Sequence, residues 1–224
     1  MAKRSDPFAI ELTPDLVLRA YRAGVFPMAE DASSPDLFWV APEKRGIVPL
    51  DGFHISKSLR KTLRTHPYAV RVDTDFDAVI SACAEAADGR ETTWINDAIR
   101  DTYGQLFRRG QVHTVEVWDG EALVGGLYGL SIGGAFFGES MFHRKTDASK
   151  IAMAHLVKRL NAGGYVLLDT QFITEHLATL GAVEIARVEY ERQLRQALLL
   201  RGDWHALDRI APTGEKGALL THQP

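Results

Sequence analysis

The sequence predicts an α+β protein in which a mixed, largely antiparallel sheet carries flanking helices and is preceded by a small N-terminal domain. Of its 224 residues, 46% are apolar and 25% are charged, which is typical of a globular chain with one substantial core. Three strand patterns joined by two glycine-containing hairpin dipeptides indicate an antiparallel meander. The strands cover 113–118, 122–130 and 135–139, and the dipeptides are Asp119-Gly120 and Gly133-Gly134. Helical periodicity on both sides of the meander predicts the helices that pack on it.

The first 45 residues are expected to form the small N-terminal domain, which leaves residues 46–224 for the main one. The tripeptide Thr-Pro-Asp at 13–15 predicts a helix start, because it supplies a capping hydroxyl, a proline at the first helical position and an acid in the first turn. Residues 25–35 are predicted to be a loop. Aromatic residues in and beside it indicate either a binding surface or a contact with the main domain.

The helix predicted over 56–65 has an unbalanced charge pattern. Its cations recur at i, i+3, i+4 and i+7 and therefore share one helical face; they are Lys57, Arg60, Lys61 and Arg64. The net charge of −3 gives no overall attraction to nucleic acid, so any RNA partner must be held by a local patch of this kind. A merely solvated helix face is the alternative.

The other elements alternate along the chain. Strands are predicted at 46–50, 68–72, 165–172 and 183–185, and helices at 75–87, from Thr92 or Thr93 with Trp94 in the first turn, from Asp147 or Ser149, at 175–180 and at 189–200. The tail beyond Gly202 has little periodicity.

The strand at 165–172 becomes polar at its carboxyl end. Alternation places Leu167, Asp169 and Gln171 on one face and the residues between them, including Leu168, on the other. An acid and an amide at the end of a strand that follows a helix lie where reactive sites usually form. The alternative is that Asp169 caps the next turn and Gln171 satisfies backbone groups.

Several kinds of chemistry are not indicated. The segment from Gly138 to Phe142 lacks the second glycine of a nucleophile elbow and follows a hairpin strand. There is no HExxH or paired CxxC, and the eight histidines are scattered, so we expect no metal. Cys83 is the lone cysteine, which excludes an internal disulfide. Neither a signal peptide nor a membrane-spanning run occurs, so we expect a cytoplasmic protein without a membrane partner.

A meander followed by a helix and a further strand is similar to the GNAT acyltransferase fold. In that fold the loop entering the helix normally carries a glycine-rich cradle for the pyrophosphate of coenzyme A. Here the loop at 143–149 has the sequence HRKTDAS, without a glycine. We therefore expect no cofactor, and a GNAT-like domain here needs another activated acyl donor.

Eight segments occur in the order found in bacterial leucyl/phenylalanyl-tRNA-protein transferases, and the chain resembles that family over about residues 10–200. They are LFWVAPEKR at 37–45, LDGFHIS at 50–56, TWI at 93–95, VGGLYG at 124–129, FGESMF at 137–142, DASK at 147–150, LDTQ at 168–171 and LGA at 180–182. The resemblance implies a GNAT-like domain behind a small N-terminal domain. It also implies transfer of Leu or Phe from aminoacyl-tRNA to proteins that begin with Arg or Lys, which marks them for degradation.

The resemblance implies roles for individual residues. Asp169 and Gln171 match the catalytic pair. Asp169 would orient the attacking amine or Gln171 and assist proton removal, while Gln171 would hold the nucleophile or the reacting carbonyl. Proton transfer through the tRNA ribose is the alternative. Glu139 and Ser140 match positions near the aminoacyl group, where Glu139 could pair with the donor's α-amino group or with the acceptor's basic first residue.

The same resemblance implies the pocket and the tRNA contacts. The apolar pocket for the donor side chain would be lined by Leu127, Phe136, Leu156 and Leu168, each of which would otherwise be interpreted as core. The terminal adenosine would lie against Trp94, with Tyr103, Tyr21 and Met28 as further candidates. The acceptor stem would bind the cationic face at 57–64.

Three positions depart from the family's pattern. Met28 stands where a second stacking tryptophan is known, Leu156 replaces an aromatic residue, and Thr174 replaces a common asparagine. Three other classes stay open: a coenzyme A acetyltransferase, a transferase from aminoacyl-tRNA to a cell-wall precursor, and a non-catalytic RNA- or peptide-binding module. A monomer is expected.

Overall fold

The computed structural model describes residues 11–34, 36–85 and 92–210, and within these it contains nine strands and eight helices. The strands are β1 Phe26–Ala29, β2 Leu37–Val40, β3 Lys44–Ile47, β4 Ala69–Val72, β5 Val112–Asp119, β6 Ala122–Ile132, β7 Ala135–His143, β8 Leu167–Gln171 and β9 Val183–Ala186. The helices are α1 Pro14–Arg22, α2 Lys57–Thr65, α3 Phe76–Ala84, α4 Asp97–Arg108, α5 Ala148–Ala162, α6 Glu175–Thr179, α7 Arg187–Leu198 and α8 Ala206–Ile210.

Seven strands form one sheet in the order β4-β5-β6-β7-β8-β3-β9. All neighbouring pairs are antiparallel except β7 and β8, which are parallel because α5 carries the chain from the end of one to the start of the other. The predicted fold class, a mixed and largely antiparallel sheet with flanking helices, is confirmed. The meander is confirmed as well, although β7 runs four residues beyond the predicted end at 139.

The alternation of side chains divides the core between the two faces of the sheet. Tyr128 on β6 and Phe137 on β7 pack on one face, with α1, α3, α4 and α7. Leu127 and Phe136, their neighbours in sequence, pack on the other face, with α5. No helix among the described residues is long and apolar enough to cross a membrane.

The N-terminal segment is more regular than predicted. Residues 25–35 are not all loop, because β1 pairs antiparallel with β2. The turn between these strands is closed by the carboxylate of Asp31, which accepts hydrogen bonds from the backbone N–H groups of Ser33 and Ser34. Strands of four residues, one of them containing Pro27, show too little alternation to be recognised from sequence. The division of the chain at residue 45 stays a prediction; β3, which belongs to the large sheet, begins at Lys44.

The predicted start of α4 is wrong, whereas the predicted start of α5 at Asp147 is confirmed. Asn96 caps α4 by accepting a hydrogen bond from the N–H of Ile99, so Trp94 precedes the helix. Asp147 precedes α5 in a left-handed conformation, with φ of 62°, and its side chain makes no capping bond. In the tail, Trp204 is buried and α8 follows it. The helix predicted at 75–87 ends earlier, at Ala84, because the backbone of Glu85 is extended. Positions 86 and 87 and the tail beyond residue 210 lie outside the described residues.

Candidate active site

A cavity of about 520 Å³ opens beside the point where β7 and β8 stop pairing. The parallel pairing runs from Ala135 opposite Leu167 to Phe137 opposite Asp169. Beyond these positions both strands continue but no longer pair with each other. Residues from either face of each strand can therefore line the space that opens between them. This placement at the carboxyl end of β8 agrees with the sequence-based expectation.

Three of the four predicted pocket residues line the cavity. Leu127, Leu156 and Leu168 form part of its apolar wall, together with Met153. Phe136 does not line it; this residue is completely buried in the core and stacks on Trp204, with ring centroids 5.4 Å apart. A pocket lined by the three leucines is what the structure supports.

Gln171 lines the cavity because the backbone departs from strand geometry at this residue. Its φ of 57° lies in the left-handed region, which is uncommon for a residue other than glycine. A register irregularity in β3 occurs opposite, at Gly46, and a Cβ there would come within 2.7 Å of the Phe172 carbonyl carbon. Gln171 consequently reaches the same cavity as Leu168, although strict alternation places the two side chains on opposite faces. Its side-chain Nε2 is buried and has no hydrogen-bond partner among the described residues.

Asp169 lies behind the cavity and does not line it. Its carboxylate accepts hydrogen bonds from Arg45 Nε at 2.9 Å and Nη2 at 2.7 Å, and from the Tyr190 hydroxyl at 2.6 Å. It also accepts one from the backbone N–H of Gln171 at 2.8 Å. Asp169 is 0% exposed and Arg45 is 1% exposed, so the ion pair is fully removed from water. The structure thus brings the two predicted catalytic residues together, because the Asp169 carboxylate binds the backbone N–H of Gln171.

Arg45 is a site residue that lies within one of the family segments, yet its sequence context indicated no role for it. Its guanidinium lies between two aromatic rings, 4.6 Å from the centroid of Phe26 and 4.5 Å from that of Tyr190. Burial alone would lower the pKa of Arg45, but the Asp169 carboxylate outweighs this and holds the pKa above its ordinary value. The same surroundings raise the pKa of Tyr190, mainly through burial and then through the charge of Asp169.

Among the described residues that line the cavity, Glu139 is the one with an acidic side chain. Its Oε1 accepts a hydrogen bond from Tyr21 at 2.8 Å and its Oε2 accepts one from Tyr103 at 3.2 Å, and the two hydroxyls lie 2.7 Å apart. Burial raises the pKa of Glu139 to about 8; the charge of Asp169 acts in the same direction and the tyrosine hydroxyls oppose it. Tyr21 and Tyr103 are themselves 0% exposed and lie behind Glu139, where they hold the carboxyl group rather than offer a surface for adenosine.

Trp94 and Met28, which are predicted to contact the terminal adenosine, both line the cavity. Ser140 lines it too. Phe172, half-exposed, lies next to Gln171 and packs edge to face on Phe26, with ring centroids 5.8 Å apart. The sequence indicated no role for Phe172, because no local signal distinguishes it from a core phenylalanine.

His176 and Thr174 line the cavity at its α6 side. Thr174 caps α6 by accepting a hydrogen bond from the Leu177 N–H at 3.2 Å, and this explains why a threonine serves at this position. Burial lowers the pKa of His176, and the charges of Lys150 and His143 lower it further. A neutral imidazole is therefore favoured there.

The four cations of α2 form an exposed face, whereas Leu59 and Leu63 on the same helix are buried. The helix lies close to the cavity, because Thr62 Oγ1 donates a hydrogen bond to Asp147 Oδ2 at 3.1 Å and Ser149, two residues further on, lines the cavity.

Within the described ranges no group of His, Cys, Asp and Glu is arranged to hold a metal ion.

The fold and this cavity together define the class of protein: an acyltransferase of GNAT-like architecture, in which the loop before α5 lacks the glycines that would cradle coenzyme A. A family model described as "Leucyl/phenylalanyl-tRNA protein transferase" matches residues 47–195, and a model of the N-terminal domain of the same proteins matches residues 10–43. The leucyl/phenylalanyl-tRNA–protein transferase of Afipia carboxidovorans is 54% identical over 207 residues, which are 92% of this chain and 91% of the relative. The chain therefore belongs to the leucyl/phenylalanyl-tRNA protein transferase family.

Two solved structures are more distant. L-PGS from Bacillus licheniformis is 15% identical with a TM-score of 0.40, and the match covers 57% of this chain and 46% of that one. The C-terminal domain (DUF2156) of a candidate lysylphosphatidylglycerol synthetase from Agrobacterium fabrum is 11% identical with a TM-score of 0.38, covering 88% and 63%. The match therefore spans less than two thirds of either structure.

Proposed function

We propose that this protein transfers leucine or phenylalanine from aminoacyl-tRNA to the α-amino group of proteins that begin with Arg or Lys, and so creates a degradation signal. The cavity carries the proposal. In a chain of this family, its apolar wall suits the donor side chain, and Glu139 and Gln171 lie beside it for the reacting groups. An apolar pocket discriminates only about 10- to 200-fold between side chains that differ by one methylene, so methionine is also expected as a donor.

The chemistry requires little from the enzyme beyond positioning. An aminoacyl-tRNA ester is already activated, so the enzyme must align the amine with the ester and stabilise the oxyanion that develops. The Nε2 group of Gln171 has no partner within the described part of the chain and can donate a hydrogen bond to the reacting carbonyl. The Asp169 carboxylate accepts a hydrogen bond from the backbone N–H of Gln171 and so holds Gln171 in place. Asp169 is therefore a positioning residue in this proposal.

The tRNA would bind around the same cavity. The terminal adenosine would lie against Trp94 and Met28, which line it, and the acceptor stem would lie on the exposed cations of α2. The donor and the acceptor protein are the partners of this proposal, which requires no cofactor. A cytoplasmic monomer, with a small N-terminal domain formed by residues 1–45, completes it.

The proposal is tested by transfer of labelled Leu and Phe from tRNA to peptides. Peptides that begin with Arg and Lys should accept the label, whereas otherwise identical peptides that begin with Asp and Glu should not. A peptidoglycan precursor serves as the competing acceptor, and acetyl-coenzyme A as the competing donor. Label on the precursor, or binding of charged tRNA with the ester left intact, would contradict the proposal.

Reversing two charges on α2, as in Arg60→Glu with Arg64→Glu, is expected to weaken binding of charged tRNA. The plot of log affinity against log salt should also become flatter, by about 0.9 for each phosphate that the helix no longer neutralises. Binding is measured by titration at several salt concentrations. Arg195→Glu with Arg201→Glu is the matched control, because these exposed arginines lie on and just after α7. An unchanged affinity and slope in the α2 variant would remove the acceptor stem from this helix.

A further inference from the structure

We infer that Glu139 is the group that takes the proton from the attacking amine and returns it to the departing ribose oxygen. This inference rests on the proposed transfer reaction and goes beyond it, because it assigns the proton transfer to a residue other than the Asp169 and Gln171 pair. It is carried by the positions of the two acids relative to the cavity: Glu139 lines it and Asp169 does not.

Asp169 is unsuited to proton transfer because its oxygens are already engaged. Four donor groups from three residues approach its carboxylate: two nitrogens of Arg45, the hydroxyl of Tyr190 and the backbone N–H of Gln171. It is 0% exposed and does not line the cavity. A substrate amine could reach it only if this network were taken apart, at the cost of leaving Arg45 charged and buried without its partner.

Glu139 has the opposite arrangement. Its side chain lines the cavity, where the apolar wall and Gln171 also lie. Each carboxylate oxygen accepts one tyrosine hydroxyl, and an ionised carboxylate has about four acceptor positions, so room is left for a substrate N–H. Tyr21 and Tyr103 approach from behind, with their hydroxyl oxygens 2.7 Å apart, and hold the carboxyl group without covering its cavity side.

The proton balance of the step is complete without a further reactant. The neutral α-amine attacks the ester carbonyl, forming the C–N bond, and the nitrogen loses one proton to the Glu139 carboxylate. As the tetrahedral intermediate collapses, the C–O bond to the ribose breaks and Glu139 gives that proton to the ribose oxygen. Ester and amine have become amide and alcohol, and the carboxylate is restored.

Ionisable groups from several elements act on Glu139. They are Tyr21 on α1, Arg45 on β3, Tyr103 on α4 and Asp169 on β8, and Tyr190 on α7 is coupled to Glu139 in turn. His143 and His176 face the same cavity. The combined effect of burial and the groups that act on Glu139 is a pKa of about 8, close to the reference pKa of about 7.7–8.0 of the N-terminal amine that it would serve. Matched values favour transfer of a proton in both directions.

The test uses the pH dependence of single-turnover transfer to two acceptors. One is a peptide that begins with Arg; the other carries an aminooxy group in place of the α-amine, which is uncharged over the range studied. The aminooxy group does not titrate in this range, and the α-amine of the donor titrates equally in every variant, so the inflection that Glu139 contributes is the one that Glu139→Gln removes. The rate of the wild-type protein should rise through mildly alkaline pH. Glu139→Gln should lose this inflection and be slower by about 100-fold at the alkaline end, the lower bound for a positioned base.

Tyr21→Phe provides a second variant. It removes one hydrogen bond to the carboxylate, so the inflection should move to higher pH while the protein stays folded, as monitored by thermal unfolding. Equal slowing of Glu139→Gln at every pH with the inflection retained would mean that Glu139 only binds substrate, and would overturn the inference. An unmoved inflection in Tyr21→Phe would overturn it too. Failure of the wild-type protein to transfer Leu to the Arg peptide would instead contradict the proposed function itself.

Discussion

Replacement of Asp169 by alanine is expected to lower the free energy of unfolding by about 3–5 kcal/mol, because it leaves the buried guanidinium of Arg45 without its counter-charge. The expected loss is large since Arg45 is 1% exposed and two of its nitrogens bond to this one carboxylate. The Tyr190 hydroxyl and the Gln171 N–H would lose their acceptor as well. Transfer should fall with stability, because Gln171 would no longer be held. Urea unfolding and single-turnover transfer measure the two effects.

Two further variants separate charge from packing. Asp15→Asn removes an exposed ion pair, in which Asp15 Oδ1 lies 3.0 Å from Arg109 Nη1. This change should alter the free energy of unfolding little. In the double variant Asp169→Leu with Arg45→Met, the buried charges are replaced together, so much of the lost stability should return. Transfer should stay low there, since no carboxylate binds the Gln171 N–H. Recovery of full activity in the double variant would show that Asp169 does not position Gln171.

The elements with local signals were predictable from the sequence. The hairpin dipeptides define the meander because a positive φ is needed in each turn; Gly120 and Gly133 both have φ of 62°. The β1–β2 hairpin lacked such a signal, since its turn depends on the Asp31 side chain. The start of α4 was misplaced because Thr93 and Asn96 both have side chains that can cap a helix, and only tertiary packing selects Asn96.

The site was predictable in composition but not in arrangement. The alternation on β8 correctly separates Leu168 from Asp169, and the sequence alone offered no way to know on which face the cavity opens. The answer depends on where pairing with β7 ends, which is a property of two strands. The partner of Asp169 is likewise distant: Arg45 lies 124 positions away along the chain. Local patterns therefore mark the acid and the amide as candidates, while the tertiary structure decides which of them lines the cavity.

Replacement of Gln171 by glycine is expected to reduce transfer about 10²- to 10³-fold, the range seen when a single hydrogen-bond donor to a developing oxyanion is removed. Stability should change by less than about 1 kcal/mol, because two effects oppose each other. Glycine relieves the left-handed conformation, with φ of 57°, but it increases the freedom of the unfolded chain. The backbone N–H that bonds to Asp169 is kept. The measurements are urea unfolding and the single-turnover rate at saturating donor and acceptor.

Gln171→Asn provides the comparison that isolates the reach of the side chain. Asparagine tolerates the left-handed region better than glutamine and keeps the amide, but its amide lies one methylene closer to the backbone. A rate between those of wild type and Gln171→Gly would indicate that the position of Nε2 in the cavity determines the rate. If Gln171→Gly transferred at the wild-type rate, the side chain would have no part in the reaction, and the strained backbone at this residue would serve only to end β8.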